Sequence, residues 1–153
     1  MKFATLCYVR SEEHTLMIYR NKKPGDMHAG KWNGLGGKLE PGETPEECAH
    51  REIEEESGLK VTALKWKGLI TFPQFSKQED WYTFIFLAET ADRNVLDSPE
   101  GELHWIANDE LLSLNLWEGD RIFIPWLNHP GYFSAKFIYH DGVLLDYQVV
   151  FYP

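Results

Sequence analysis

The sequence predicts an α/β fold of the α+β kind, with a mixed β-sheet sandwiched between helices. Three observations predict it: a sharply bounded helix signal in the first half, β-rich stretches on both sides of it, and a strong hairpin signal near the C-terminus. With 153 residues, residues 1–153 are read as one domain that buries its own core, with no repeat and no linker.

Residues 3–9 and 15–20 read as two strands joined by a polar Ser-Glu-Glu-His connection. A glycine-rich stretch follows at 24–42, holding Gly25, Gly30, Gly34, Gly36, Gly37 and Gly42. That density means special backbone angles or a ligand brought close to the main chain. The helix comes next, at residues 45–57. Thr44 suits the N-cap, Pro45 the first helical position, Glu47 completes a capping box, and Gly58 suits a left-handed C-cap. Cys48, Ala49 and Ile53 give it a narrow apolar stripe.

Strand signals resume at 64–71, 81–89 and 103–106. A short helix is expected at 108–114 and a second main helix at 120–128. Residues 133–140 and 143–151 flank Asp141-Gly142, a favoured two-residue hairpin turn.

The formal net charge of -9 argues against binding a nucleic-acid polymer, which needs a basic face. It leaves room for a phosphorylated small molecule if metal ions lie between the two sets of oxygens. No apolar run is long enough to span a bilayer, and MKFATLCYVR lacks the layout of a secretory signal. Cys7 and Cys48 give neither a zinc spacing nor a disulfide framework, so a reducing, cytoplasmic setting is expected. Monomer and homodimer both stay open.

The acidic residues are gathered. On a helix Glu52, Glu55 and Glu56 stand at i, i+3 and i+4 and share a face, while Glu54 is rotated away. Like charges so placed destabilise a helix unless a cation sits against them. The bland alternative is an ion-pair lattice, for which Arg51 could reach Glu47 or Glu55, and Lys60 could reach Glu56. Clustered carboxylates suit a hard cation, Mg2+ or Mn2+.

The surroundings of this face sharpen the reading. Nine positions between residues 37 and 59 (Gly37, Glu43, Arg51, Glu52, Ile53, Glu55, Glu56, Gly58 and Leu59) resemble the Nudix box at every fixed place. That box marks a superfamily that hydrolyses nucleoside diphosphates linked to another group. The resemblance implies a loop-helix-loop catalytic motif with Glu52, Glu55 and Glu56 as metal ligands and the Gly36 carbonyl as a backbone ligand. It implies Glu43 and Arg51 as a structural ion pair. A further carboxylate is expected from a loop outside the box, with Glu100 preferred and Glu102 as fallback. Glu52 is the first choice for general base and Glu100 the second.

The segment from Lys31 to Lys38 and the tail around Trp117 are similar to the MutT and MutX branch, whose members sanitise oxidised purine nucleoside triphosphates. The resemblance implies that Trp117 stacks on the base while Asn33 and Asp120 hydrogen-bond its edge. Leu35, Gly36 and Gly37 would line the substrate, and Lys23 and Lys38 would contact phosphates. Each base reader has a plainer alternative: Asn33 in a turn, Trp117 in the core, Asp120 as a helix cap. Animal relatives carry paired acids where this chain has Gly119 and Asp120. The expected activity is release of pyrophosphate from 8-oxo-dGTP. Rival expectations are a Nudix hydrolase of ordinary or pyrimidine dNTPs, dihydroneopterin triphosphate or nucleoside diphosphate sugars, or a non-catalytic nucleotide sensor.

Overall fold

Eight strands share one mixed sheet in the computed structural model, which describes residues 1–153. The elements are β1 (Lys2–Ser11), β2 (His14–Tyr19), β3 (Trp32–Asn33), α1 (Pro45–Ser57), β4 (Ala63–Ser76), β5 (Glu79–Glu89), β6 (Glu102–Ala107), α2 (Glu118–Phe123), β7 (Tyr132–His140) and β8 (Val143–Tyr152). Their order is β3-β2-β1-β5-β4-β7-β8, with β6 also paired to β2. The β1–β5 and β4–β7 pairs are parallel and the others antiparallel. No helix is long and apolar enough to cross a membrane.

Both faces of the sheet are buried at its central strands, and the strand alternation shows how. Cys7 and Val9 of β1, Leu16 and Ile18 of β2 and Phe86 of β5 pack with Ala49 and Ile53 of α1. The residues between them, Tyr8, Met17 and Ile85, point the other way and pack with Phe123, Ile124 and Leu127. This is the expected sandwich.

The first helix forms as its caps predict. Thr44 Oγ1 accepts the Glu47 N–H at 3.0 Å, Glu47 Oε1 accepts the Thr44 N–H at 2.9 Å, and Gly58 closes the helix at φ 79°. The second helix departs from expectation. It starts two residues early, at Glu118, and after Phe123 tightens into a 3-10 turn over Ile124–Asn128. Pro125 has no N–H for an α-helical bond, which accounts for the change. Asn108–Ser113 is likewise 3-10 and not α. β4 and β5 run on to a two-residue turn, Lys77-Gln78, with φ of 53° and 59°. That turn carries neither glycine nor asparagine, so the strand extension had no sequence marker.

The glycine stretch lies along β1. Leu35 and Cys7 exchange backbone bonds, Thr5 N–H donates to Gly37 O at 2.8 Å, and Leu39 N–H donates to Phe3 O at 2.9 Å. A Cβ at Gly36 would stand 2.0 Å from Thr5 O, so only glycine permits this approach. The loop that leads into α1 is thereby fixed to the central strand.

Two substitutions separate packing from capping. Ile53→Ala, at a fully buried site, is expected to lower the urea-unfolding free energy by about 2–5 kcal/mol. Thr44→Ala should cost about 1 kcal/mol. Equal losses would mean that α1 is not held mainly by its apolar stripe.

Candidate active site

The acidic face of α1 meets the glycine loop. Glu56 is 5% exposed and its Oε2 accepts the Gly36 N–H at 2.8 Å. Burial, and then the facing charge of Glu100, push its carboxyl well above the ordinary range. Glu52 lies flat against Gly37, where a Cβ would come within 2.6 Å of the carboxylate. Burial raises Glu52 too, opposed by the Arg51 Nη1 hydrogen bond at 2.7 Å. Glu55 is largely exposed and turned to Arg51 at 3.3 Å.

Arg51 holds this region together. Its Nε donates to Glu43 Oε2 at 2.7 Å and its Nη2 to Glu43 Oε1 at 2.9 Å, a bidentate fork. Those bonds, with the Glu40 N–H, hold Glu43 down at about 2. Nη2 also donates to Lys38 O at 3.1 Å, bracing loop against helix. Arg51 does not pair with Glu47, which is occupied in the capping box, and Lys60 reaches Glu54 at 3.9 Å in place of Glu56.

Glu100 is brought to the site and Glu102 is not. Glu100 opposes Glu52 and Glu56 electrostatically and pairs with Arg20 at 3.5 Å. Glu102 is half exposed and faces His104 and Asn21.

The donor set fits a hard divalent cation. Glu56 and Glu100 oppose each other at a buried place, with no lysine or arginine bonded to Glu56. The Gly36 carbonyl takes no hydrogen bond from the protein. With Glu52 and Glu55 turned to Arg51, no three side chains yet converge on one point. Rotation of those two off Arg51 is what would complete a ligand shell of oxygens.

One cavity of about 610 Å³ joins this face to an aromatic wall. Lining it are Glu52 and Glu100 on one side, and Asn33, Phe75, Trp117, Asp120 and Tyr139 on the other. Asn33 is placed by the β3–β2 pairing and its amide has no protein partner. Trp117 packs edge-on to Phe75 and Tyr139, with ring centroids 5.6 Å away in each case, so it is cavity wall as well as packing.

Asp120 is 7% exposed and pushed up to about 7 by burial, opposed only by Lys31. It caps no helix, because Trp117 occupies the N-cap position of α2. Gly119 has a separate cause: its N–H donates to the Tyr139 hydroxyl at 2.7 Å, and a Cβ there would meet that oxygen at 2.6 Å.

Three expected substrate residues are placed differently from one another. Lys38 lines the cavity, its Nζ 5.4 Å from the Trp81 ring. Lys23 is exposed on the loop and does not line it. The Leu35 side chain is fully buried in the core between sheet and α1, so only its backbone belongs to the loop. Arg20, His28, Phe72, Trp81 and Tyr139 were not singled out from the sequence yet line the cavity. They come from four separate stretches of chain, and only strand parity offered a hint for Tyr139.

Asp120 sets a pH test. Its folded pKa lies above the ordinary value of 3.8, so the native state disfavours the ionised form and loses stability as pH rises from about 4 to about 7. Asp120→Asn is expected to stabilise the protein by about 1–4 kcal/mol at pH 8 and by progressively less toward pH 4. A gain in melting temperature independent of pH would mean that Asp120 is not buried as a carboxylate.

A family model described as the NUDIX domain matches residues 2–127. The oxidized purine nucleoside triphosphate hydrolase of Danio rerio is 37% identical over 147 residues, 94% of this chain and 91% of that protein. The mouse protein of the same description is 33% identical over 146 residues, 95% and 92% of the two chains. The crystal structure of a mutator MutT protein from Bacillus halodurans superposes with a TM-score of 0.84 at 31% identity, covering 97% of each chain. With the motif, the sheet and the carboxylate face in agreement, the chain belongs to the NUDIX family of hydrolases, which act on phosphoric anhydrides.

Proposed function

We propose that the protein hydrolyses oxidised purine nucleoside triphosphates, 8-oxo-dGTP foremost, to the monophosphate and pyrophosphate, a cytosolic role in sanitising the nucleotide pool. The observation that carries this reading is the single cavity that joins the carboxylate face to a buried wall able to read a base. The relatives described as acting on oxidised purine nucleotides support it.

In this reading Glu52, Glu55, Glu56, Glu100 and the Gly36 carbonyl would hold Mg2+, with Mn2+ as substitute. When bound, such an ion would supply positive charge to the phosphate oxygens and make a nearby water easier to deprotonate. Glu52, which lines the cavity, would take the proton from the attacking water. Lys38 meets the phosphates at the cavity edge, while Gly36 and Gly37 let the chain approach them closely. Asn33 and Asp120 read the base edge and Trp117 covers its face. Glu43 and Arg51 keep the loop in register with the helix.

Pyrophosphate release with magnesium is the direct test, across 8-oxo-dGTP, dGTP, dCTP and dihydroneopterin triphosphate. A higher kcat/KM for 8-oxo-dGTP than for dGTP is expected; preference for another member would move the specificity and keep the chemistry. Glu56→Gln should leave the fold intact and lower turnover more than about 100-fold, since loss of outer-shell partners alone costs about 10- to 100-fold. Near-normal turnover would sink the ligand assignment. Trp117→Ala should raise KM for 8-oxo-dGTP about 10-fold while leaving dCTP little changed.

A further inference from the structure

The loop between β2 and β3 is exposed over much of its length, yet His28 turns inward to the cavity. Its Nδ1 accepts the indole N–H of Trp117 at 2.9 Å, and the two rings meet edge-on with centroids 5.5 Å apart. This is the only hydrogen bond that the Trp117 indole makes. Its other neighbours are Phe75, Tyr139 and the Lys31 ammonium, which lies 5.4 Å from the ring. Those contacts fill space around the indole without fixing its rotation, because stacking and cation–π attractions tolerate a range of angles. A hydrogen bond to a ring nitrogen does not.

His28 is itself held. Its backbone N–H donates to Asp26 Oδ1 at 3.0 Å, and Asp26 Oδ2 pairs with Arg20 Nε at 2.9 Å. Arg20 then reaches Glu100 at 3.5 Å. Asp26 and Arg20 are nearly buried, at 6% and 14% side-chain exposure, so these pairs are shielded from competing water. A chain of four contacts therefore runs from the carboxylate face to the aromatic wall. The indole nitrogen can only donate, so Nδ1 is the acceptor and Nε2 is the nitrogen left to carry the ring proton; burial and then the Arg20 charge lower the imidazole pKa in the same sense, opposed by Asp26 and Glu100.

We propose that His28 is a positioning residue for base recognition: by accepting the Trp117 indole N–H it fixes the plane on which a purine stacks, and through Asp26 and Arg20 it sets that plane relative to Glu100. The inference rests on the reading that Trp117 covers the base. It concerns orientation and gives His28 no part in moving the proton of the reaction.

The test uses the full chain and three variants. His28→Phe keeps a ring and removes the acceptor, His28→Gln keeps a side-chain acceptor, and Trp117→Phe keeps a stacking ring without the N–H. The first readout needs no substrate: the Trp117 indole N–H resonance, assigned by its loss in Trp117→Phe, and its exchange with solvent. His28→Phe is expected to shift it upfield and speed its exchange, with the remaining resonances in place. In kinetics His28→Phe should raise KM for 8-oxo-dGTP about 2- to 10-fold, the worth of one net hydrogen bond, with a smaller change in kcat. His28→Gln should recover part of the loss, and in the Trp117→Phe background His28→Phe should add nothing. An indole resonance indifferent to His28→Phe overturns the proposal. So does an unchanged KM in His28→Phe when Trp117→Ala raises it, and that result leaves the proposed function standing. If Trp117→Ala also leaves KM unchanged, the base does not lie on Trp117, and the stacking role of Trp117 falls together with the His28 proposal.

Discussion

The site depends on one steric constraint: the glycine loop lies so close to β1 that no Cβ fits at Gly36 beneath Thr5 O. From that contact follow the entry of α1 over the sheet and the burial of Glu56 against the Gly36 N–H. The same contact leaves the Gly36 carbonyl without a protein donor and lets Glu52 rest on Gly37. Oxygen atoms from backbone and helix are thus brought together, and the raised carboxyl of Glu56 reflects its burial first and the facing Glu100 second. Such crowding costs stability in the absence of a counter-charge. Arg51 relieves it only in part, since its fork is committed to Glu43 and its remaining reach goes to Glu52 and Glu55.

Arg51 and Arg20 act at opposite ends of the same problem. Arg51 ties the helix to its preceding loop through Glu43 and Lys38 O. Arg20 ties Glu100 to Asp26 and so to the loop before β3. Neither guanidinium bonds to Glu56, which accepts the Gly36 N–H and faces Glu100.

Much of this was legible in the residues, and the reasons differ from place to place. The first helix carries its boundaries in its own sequence, because capping box, first-position proline and left-handed glycine are local devices. The Asp141-Gly142 hairpin is local as well, with φ of 49° and 77°. The spacing of Glu52, Glu55 and Glu56 put them on one face, and Glu43 and Arg51 were found paired. What escaped was set by tertiary contact. Leu35 reads like a neighbour of its glycines, but strand pairing with Cys7 turns its side chain into the core. Lys23 shares a loop with His28, yet the Asp26 turn sends one outward and the other inward. The break in the second helix was signalled by Pro125 and could have been read.

The aromatic wall of the cavity draws on a part of the chain that the Nudix box does not. Tyr139 lies on β7, beyond the residues matched by the family model, and its hydroxyl fixes the Gly119 backbone beside Asp120. The cavity wall is therefore assembled from the family-matched region, through Asn33, Trp117 and Asp120, and from a hairpin beyond it, and the two meet only in three dimensions. A substitution at Tyr139 thus changes the cavity wall and the Gly119 backbone without touching the carboxylates of α1.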